Sequence, residues 1–213
     1  VDAAPANSAS LLLDGYLDRG VGVGADLSWG TSDTDGSIFG YYIHDSGTDR
    51  FTTGETLDRN SESRGIIRAS GRYRLDEVWT LFGEVTYVSD EGFVDSFFER
   101  EAEVGREFTS RLFVRRVDPN GPQNTGLTLE ANTNLNDFLI NEHLLQSPGF
   151  QTERLPEATY SVVGDDIFGG ALTYYGETRA GVLRLNLAEN DLREQGYTNA
   201  IAQEAFGINA NQT

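Results

Sequence analysis

Histidine and cysteine, which supply many catalytic bases, nucleophiles and transition-metal ligands, are sparse in this chain. It contains two histidines and no cysteine, which excludes thiolate ligands, thiol nucleophiles and disulfide bonds. His44 and His143 lack a metal-binding spacing such as H-x-x-x-H, so we expect each to be solvated in a loop or at a strand end. No G-x-S-x-G elbow or phosphate-binding glycine loop occurs. The sequence therefore predicts no enzymatic activity, no cofactor and no metal centre.

One short acidic motif could bind calcium. Asp33, Asp35 and Gly36 resemble part of a calcium loop, but the acidic ligand that should follow them is missing. The same residues are common in ordinary turns. A turn is therefore the expected structure at this point of the chain.

A charged run is formed by Asp45, Asp49 and Arg50. Two kinds of chemistry are open to it, either binding of a cation at the surface or pairing of the carboxylates with Arg59 or Arg64. A solvated charged surface is the default expectation for such a run.

Composition narrows the class of partner and of fold. The chain has 213 residues, with 34 acidic and 16 basic residues and a formal net charge of −18. Nucleic acid is excluded as a partner, because polyanions bind basic surfaces. No apolar run is long enough for a transmembrane helix, whereas a transmembrane β-barrel remains open because its strands alternate. The first residue is not methionine, so we expect a processed chain or a piece of a longer one.

Period-two alternation of apolar and polar residues is the strongest pattern in the chain. It is clearest at 20–30, 66–75, 78–89 and 127–135, where one side of each segment is apolar. Weaker strand candidates lie at 37–44, 107–117, 158–164, 171–175 and 181–188. The pattern predicts an all-β chain with about nine strands and few helices.

The connections between these strands alternate in length over most of the chain. Short links at 31–36, 76–77 and 118–126 alternate with long loops near 46–64, 90–106 and 136–157. Outer-membrane barrels have this asymmetry between their two rims. We therefore expect residues 1–14 to be a flexible lead-in segment, 15–188 to be antiparallel barrel wall, and 189–213 to be a loop or short helix with a tail.

The two sides of the strands differ in a way that suits a barrel wall. Aromatic residues near strand ends, among them Trp29, Trp79 and Tyr87, are candidates for the girdles that face lipid. The opposite sides carry charged residues that would face an aqueous lumen. These lumen candidates are Arg68, Arg72, Arg74, Glu84 and Glu130.

Two loops contain apolar residues that predict inward packing. Segment 89–101 places Phe93, Phe97 and Phe98 at helical spacing, which predicts a short amphipathic helix packed against the sheet, with Ser89 and Asp90 at its start. Loop 136–157 carries apolar residues that favour folding back; they are Phe138, Leu139, Ile140, Leu144 and Leu145.

The ordered motifs resemble a known family. The segments are, in chain order, Tyr41–Arg50 (YYIHDSGTDR), Arg64-Gly65, Trp79-Thr80-Leu81, Val88-Ser89-Asp90 with Phe93, Phe97–Glu101 (FFERE), Leu112–Arg116 (LFVRR) and Glu153–Glu157 (ERLPE). Together they resemble the barrel region of the LptD family, the lipopolysaccharide-assembly or organic-solvent-tolerance proteins of the outer membrane. The resemblance covers roughly residues 15–188.

The resemblance implies a very large antiparallel barrel of about two dozen strands. Such a barrel receives lipopolysaccharide from a periplasmic bridge, is plugged by a lipoprotein, and releases its cargo into the outer leaflet; no catalytic residues carry over. The chain lacks the family's periplasmic jellyroll domain, its paired cysteines and most of its strands. We therefore expect an antiparallel transmembrane β-barrel segment of about 8–10 strands within a larger outer-membrane barrel, in contact with outer-membrane lipid and completed by the rest of the barrel.

Two other functions remain open from the sequence. A generic outer-membrane porin would have the same alternating strands and polar lumen. A soluble acidic β-sandwich that binds carbohydrate or a partner would also alternate, but it would bury its apolar faces against each other.

Overall fold

The computed structural model describes residues 7–51, 56–59, 61–103, 108–118, 125–136, 138–140 and 150–187. Its strands are β1 (Ser8–Tyr16), β2 (Gly20–Gly30), β3 (Thr34–Asp45), β4 (Thr48–Arg50), β5 (Thr56–Asp58), β6 (Glu62–Arg74), β7 (Trp79–Val88), β8 (Ser110–Val117), β9 (Thr125–Thr133), β10 (Phe150–Ile167) and β11 (Leu172–Leu187). Two five-residue helices, α1 (Phe93–Phe97) and α2 (Glu99–Glu103), follow β7. Neither helix in these ranges is long and apolar enough to cross a membrane.

Nine of the strands form one antiparallel sheet in the order β1-β2-β3-β6-β7-β8-β9-β10-β11. Strands β4 and β5 pair only with each other, in a two-stranded sheet inserted between β3 and β6. Each strand of the large sheet therefore lies beside its neighbour in sequence, and β1 and β11 are the two edges of the described sheet. The predicted all-β class is confirmed.

Cross-strand register sorts the side chains into two faces. One row joins Leu27, Ile38, Ala69 and Val85; the neighbouring row, on the other side of the sheet, joins Ser28, Ser37, Ser70 and Glu84. Residues opposite each other share a face of the sheet, and successive residues along a strand lie on alternate faces. We call the face that carries the first row the bare face. The face that carries the second row is the capped face, because α1 packs against it.

The connections fall into two groups because antiparallel neighbours turn at alternate ends of the sheet. The turn rim carries the connections 31–33, 75–78, 118–124 and 168–171. The loop rim carries the turn 17–19 and the long connections 46–61, 89–109 and 134–149. The predicted alternation of short and long links is confirmed from β2 to β10. The turn 17–19 is a short link on the loop rim.

The buried core lies on the capped face, close to the loop rim. Tyr41, Ile43, Ile66 and Val88 project from the sheet, and Phe93 and Val94 of α1 pack against them; the buried cluster also includes Phe108 and Ile140. The predicted helix and the inward packing of Leu139 and Ile140 are thus confirmed. Asp90 lies at the start of the turn, as expected: its Oδ1 accepts a hydrogen bond from the N–H of the N-cap residue Gly92 at 3.2 Å, and its carbonyl accepts from the N–H of Phe93.

Several strand limits differ from those expected. Strand β1 begins at Ser8, inside the segment 1–14 that was expected to be flexible. Strand β10 begins at Phe150, within the expected loop 136–157, and β11 is one continuous strand where two were expected. Leu144, Leu145, His143 and the expected helix and tail at 189–213 lie outside the described residues.

Candidate functional site

The residues expected to face a lumen and those expected to face lipid lie on opposite sides of the sheet. By register and alternation, the first group lies on the capped face; it comprises Arg68, Arg72, Arg74, Glu84 and Glu130. Trp29, Trp79 and Tyr87 lie on the bare face, where Tyr87 leaves 52% of its surface exposed. The sheet therefore separates charged from aromatic residues, and it does not gather the charged ones into a single cluster.

Three of these charged groups have local ionic partners. Arg68 pairs with Glu101 and stacks its guanidinium 4.7 Å from the centre of the Phe39 ring. Arg72 donates a 2.7 Å hydrogen bond from Nε to Asp35. At the other end of the sheet, Glu130 bridges two arginines; they are Arg111 at 3.3 Å and Arg154 at 3.5 Å. Such pairs on a half-exposed surface fix orientation more than they stabilise the fold.

A polar hollow of about 370 Å³ lies on the capped face between the core and the turn rim. Four serines cross its floor in one row, with hydrogen bonds between Ser8 and Ser28 (2.8 Å) and between Ser37 and Ser70 (3.2 Å). Asp26, Phe39, Arg68 and Glu84 complete most of its lining. Hydroxyls both donate and accept hydrogen bonds, so this surface suits water or hydroxylated solutes.

The strongest electrostatic feature is a network of six charged residues under the loop rim. Arg64 of β6 is 1% exposed and reaches three carboxylates, with 2.6 Å to Asp45, 3.0 Å to Asp49 and 2.6 Å to Asp90. Arg59 donates from Nε to Asp49 at 2.8 Å and reaches Asp90 at 3.1 Å.

Arg19 completes the network from the turn between β1 and β2. It pairs with Asp45 at 2.9 Å and also with Asp49. Three arginines and three aspartates thus share one largely buried site, and their formal charges sum to zero. The half-exposed Glu62 lies outside this set and contacts Arg59 at 3.4 Å. The balance of charge within the set allows the side chains to be buried together, because an unpaired buried charge is very costly.

The ionisation of Asp49 illustrates this balance. Burial by itself would raise the pKa of its carboxyl, but hydrogen bonds from Arg64 and Ser96, the charge of Arg64 and a hydrogen bond from Arg59 outweigh burial and lower the pKa to about 2. Asp49 therefore stays charged at any pH that a cell would meet. The network behaves as a set of fixed ion pairs.

Aromatic rings cover the network on its other side. We call residues 90–98, which include α1, the cap. Phe93 and Phe97 of the cap lie 5.7 Å and 5.3 Å from the Arg64 guanidinium, and Phe97 lies 4.7 Å from that of Arg19. Such cation–π contacts are strongest where water is excluded. The cap is thus joined to the sheet by charges and by aromatic packing together.

The expectation that Asp45, Asp49 and Arg50 form a solvated charged surface is wrong for the two aspartates. Both aspartates are fully buried, whereas Arg50 is exposed. The alternative in which the carboxylates pair with Arg59 and Arg64 is confirmed. Sequence reasoning missed Arg19 and Asp90 as members of the network. The only signal for them is their place at the loop rim, which becomes visible once the order of strands is known.

Four of the seven segments that carry the family resemblance meet at this one place. Tyr41 and Asp45 from the first segment, Arg64 from the second, and Asp90 and Phe97 from later ones all contribute to the core or the network. Glu153 of the last segment lies elsewhere, where it is 3% exposed and accepts hydrogen bonds from Thr133 and from the backbone of Asn134.

The residues considered for cation binding are bonded to other side chains or lie within a strand. His44 bonds to Ser61 at 2.9 Å and lies 3.5 Å from Ser63. The carboxylate of Asp35 is engaged by Arg72, and Gly36 lies inside β3. Within the described ranges, no group of three or more histidine, aspartate or glutamate side chains is arranged to hold a metal ion.

Comparison with known proteins adds no assignment. No protein-family model matches the chain, and no curated protein is significantly similar to it.

Proposed function

We propose that the chain forms part of the wall of an outer-membrane β-barrel that assembles lipopolysaccharide into the outer leaflet. The observation that carries the proposal is the division of the sheet into an apolar and a polar face, which is clearest from β1 to β7. Strands that cross a membrane need this division, because one side of each meets lipid and the other meets water.

The bare face has the composition of a lipid-facing surface. Large apolar residues that are exposed there come from all nine strands; they include Leu11, Leu13, Val23, Leu27, Ile38, Tyr42, Ile67, Tyr73, Val85, Tyr87, Leu112, Leu129, Tyr160 and Val182. An apolar surface of this extent in water would drive association. A β-sandwich would cover it with a second sheet. In the described part of the chain the only other sheet is the β4–β5 pair, whose Asp49 bonds to the capped face.

The open edges imply neighbours for the wall. Strands β1 and β11 present unpaired backbone groups along the described sheet edges, and such groups are very costly in lipid. Further strands, from the same chain or from another, therefore complete the barrel. The plug lipoprotein and the periplasmic bridge of the export machine remain partners that the resemblance implies.

The capped face suits a hydrated interior. The serine row, together with Asp26, Arg68 and Glu84, offers hydrogen-bonding groups to water and to the sugar head group of a lipid in transit. The long connections mark the loop rim as the extracellular side, since outer-membrane barrels have short periplasmic turns and long external loops. No residue is assigned a catalytic role.

Export of lipopolysaccharide is favoured over a passive porin by the residues that carry the resemblance. Four of the seven segments contribute to one buried cluster although they are scattered along the chain, so this part of the ordered motif corresponds to a single structural unit. A porin would need an open passage past the loop rim, whereas here the cap fills the space beneath that rim beside β3, β6 and β7.

The proposal is tested first by fractionation and then by depletion. The full-length protein should stay in the outer-membrane pellet after carbonate or urea washing and should leave it only with detergent. Its depletion from its native cell should reduce lipopolysaccharide at the surface, measured by labelling of intact cells, and re-expression should restore it. Normal surface lipopolysaccharide after depletion, together with loss of ion conductance, would identify a porin. Release of the protein by the wash would identify a soluble domain.

A further inference from the structure

The cap is joined to the sheet by side chains and hardly at all by backbone. Its first residues follow Ser89, whose N–H donates to the carbonyl of Gly65 at 2.9 Å and whose hydroxyl accepts from the N–H of Gly65. Among the described residues, the backbone hydrogen bonds within α1 are short-range, such as that from Phe98 to Val94. A five-residue helix is not stable on its own, so its position depends on the contacts of its side chains.

Charged residues supply the directional part of those contacts. Asp90 at the start of the cap accepts from Arg64 and Arg59, and Ser96 on α1 donates to Asp49 at 2.6 Å. Arg64 is the only member of the network that bonds to all three aspartates. It therefore links the sheet, the β4–β5 insertion and the cap at one point.

The sheet has its own support behind the cap. Strand β6, which carries Arg64, is paired with β3 from Glu62 to Tyr73 and with β7 from Ile66 to Arg74. None of these ladder hydrogen bonds involves a cap residue. Loss of the ionic contacts would therefore release the cap before it disrupted the ladders.

The cap also borders the polar hollow. Phe98 of the cap packs 5.7 Å from Phe39, which lines the hollow, and Arg68 of the hollow pairs with Glu101 just after the cap. Movement of residues 90–98 away from the sheet would join the hollow to the loop rim along the capped face.

We propose that the cap is a gate over the capped face, closed by the six-residue ion-pair network with Arg64 as its latch. In the closed state the cap separates the hollow from the loop rim. In the open state the nine-stranded sheet is intact and the capped face is continuous from rim to rim. That lipid head groups then pass along this face rests on the proposed function, whereas the latch itself does not.

The absence of cysteine allows a direct test by single-cysteine labelling in the full chain. Val94→Cys reports on the cap and Val88→Cys on the sheet beneath it, and both sites are fully buried. Ser32→Cys, in an exposed turn at the opposite rim, is the accessible control. With the network intact, a small hydrophilic thiol reagent should modify Val94→Cys and Val88→Cys at least about a hundredfold more slowly than Ser32→Cys.

Arg64→Gln leaves three carboxylates with two arginines and should open the cap. Labelling of Val94→Cys should then accelerate by about a hundredfold or more, while the far-UV circular dichroism of the strands stays unchanged. The double variant Arg64→Gln/Asp49→Asn restores neutrality and should recover part of the protection, which loss of packing alone would not do. Ser96→Ala, which removes only one hydrogen bond from the cap, should accelerate labelling by less than about tenfold.

Three outcomes would overturn the proposal that Arg64 holds the cap closed. They are fast labelling of Val94→Cys in the otherwise unchanged chain, continued protection in Arg64→Gln, and loss of strand signal in parallel with protection. None of them depends on whether the chain spans a membrane, so failure of the gate and failure of the proposed function can be told apart.

Discussion

Replacing Ile38 by arginine would put a charge near the middle of the bare face. Ile38 is the fifth of the twelve residues of β3, is 40% exposed, and lies between Leu27 and Ala69 in its cross-strand row. At about 3.4 Å per residue and a tilt of about 45°, a strand of this length spans about 30 Å, the thickness of a bilayer core. Position 38 would therefore lie close to the midplane.

The expected cost depends on what the bare face meets. In lipid, arginine near the midplane destabilises a barrel by about 2–4 kcal/mol. In water, a substitution at a half-exposed position costs less than about 1 kcal/mol. Ser37→Arg is the matched control, because it adds the same charge one residue away on the capped face, near Asp35, and should cost less than about 1 kcal/mol in either environment.

The assay is the free energy of unfolding by guanidinium, measured for the protein inserted in lipid vesicles. We expect Ile38→Arg to lower it by at least about 2 kcal/mol more than Ser37→Arg does. Equal effects of the two variants would refute the assignment of the bare face to lipid, and so would a larger loss for Ser37→Arg.

Three further predictions follow from the capped face. Gly22→Ala should destabilise the fold by about 1–3 kcal/mol, because the added methyl group would overlap the Tyr41 ring. At Gly83 no atom lies within 4 Å of the place that an added methyl group would occupy, so Gly83→Ala should be nearly neutral in the same unfolding assay. Arg72→Gln removes an exposed ion pair and should cost less than about 1 kcal/mol in guanidinium unfolding. Folding lowers the pKa of Asp49 to about 2, so the ionised carboxylate contributes about 2 kcal/mol to the free energy of unfolding. This contribution is complete above about pH 4 and is lost as the pH falls towards 2. An Asp49→Asn variant, measured from pH 6 to pH 2, should lack that loss of stability.

The strands that the sequence predicted well are those with one uniform apolar side. In β2 and β7 every second residue is apolar or glycine on the bare face, so period two is plain. Strand β1 was missed because three consecutive leucines hide the alternation. The structure explains them, since Leu11 and Leu13 lie on the bare face while Leu12 packs against the core on the other.

The buried network could be anticipated only in part. The aspartates and arginines in and beside the connection from β3 to β6 are near neighbours in sequence, so their pairing could be considered from the sequence alone. Arg19 and Asp90 come from connections that are 26 and 31 residues away from their partners Asp45 and Arg59. Their proximity follows from the antiparallel order, which brings alternate connections to one rim. Charge patterning along a chain carries no information about such pairs.

The neutral network restricts which parts of the chain can be exchanged independently. Its six members come from the turn after β1, the end of β3, the connection from β3 to β6, strand β6 itself and the start of the cap. A related chain could donate its own version of one connection only if it brought the same number of charges of each sign to the same place. Segments at this rim must therefore be inherited or engineered as a set, whereas the turns at the opposite rim can be replaced one at a time.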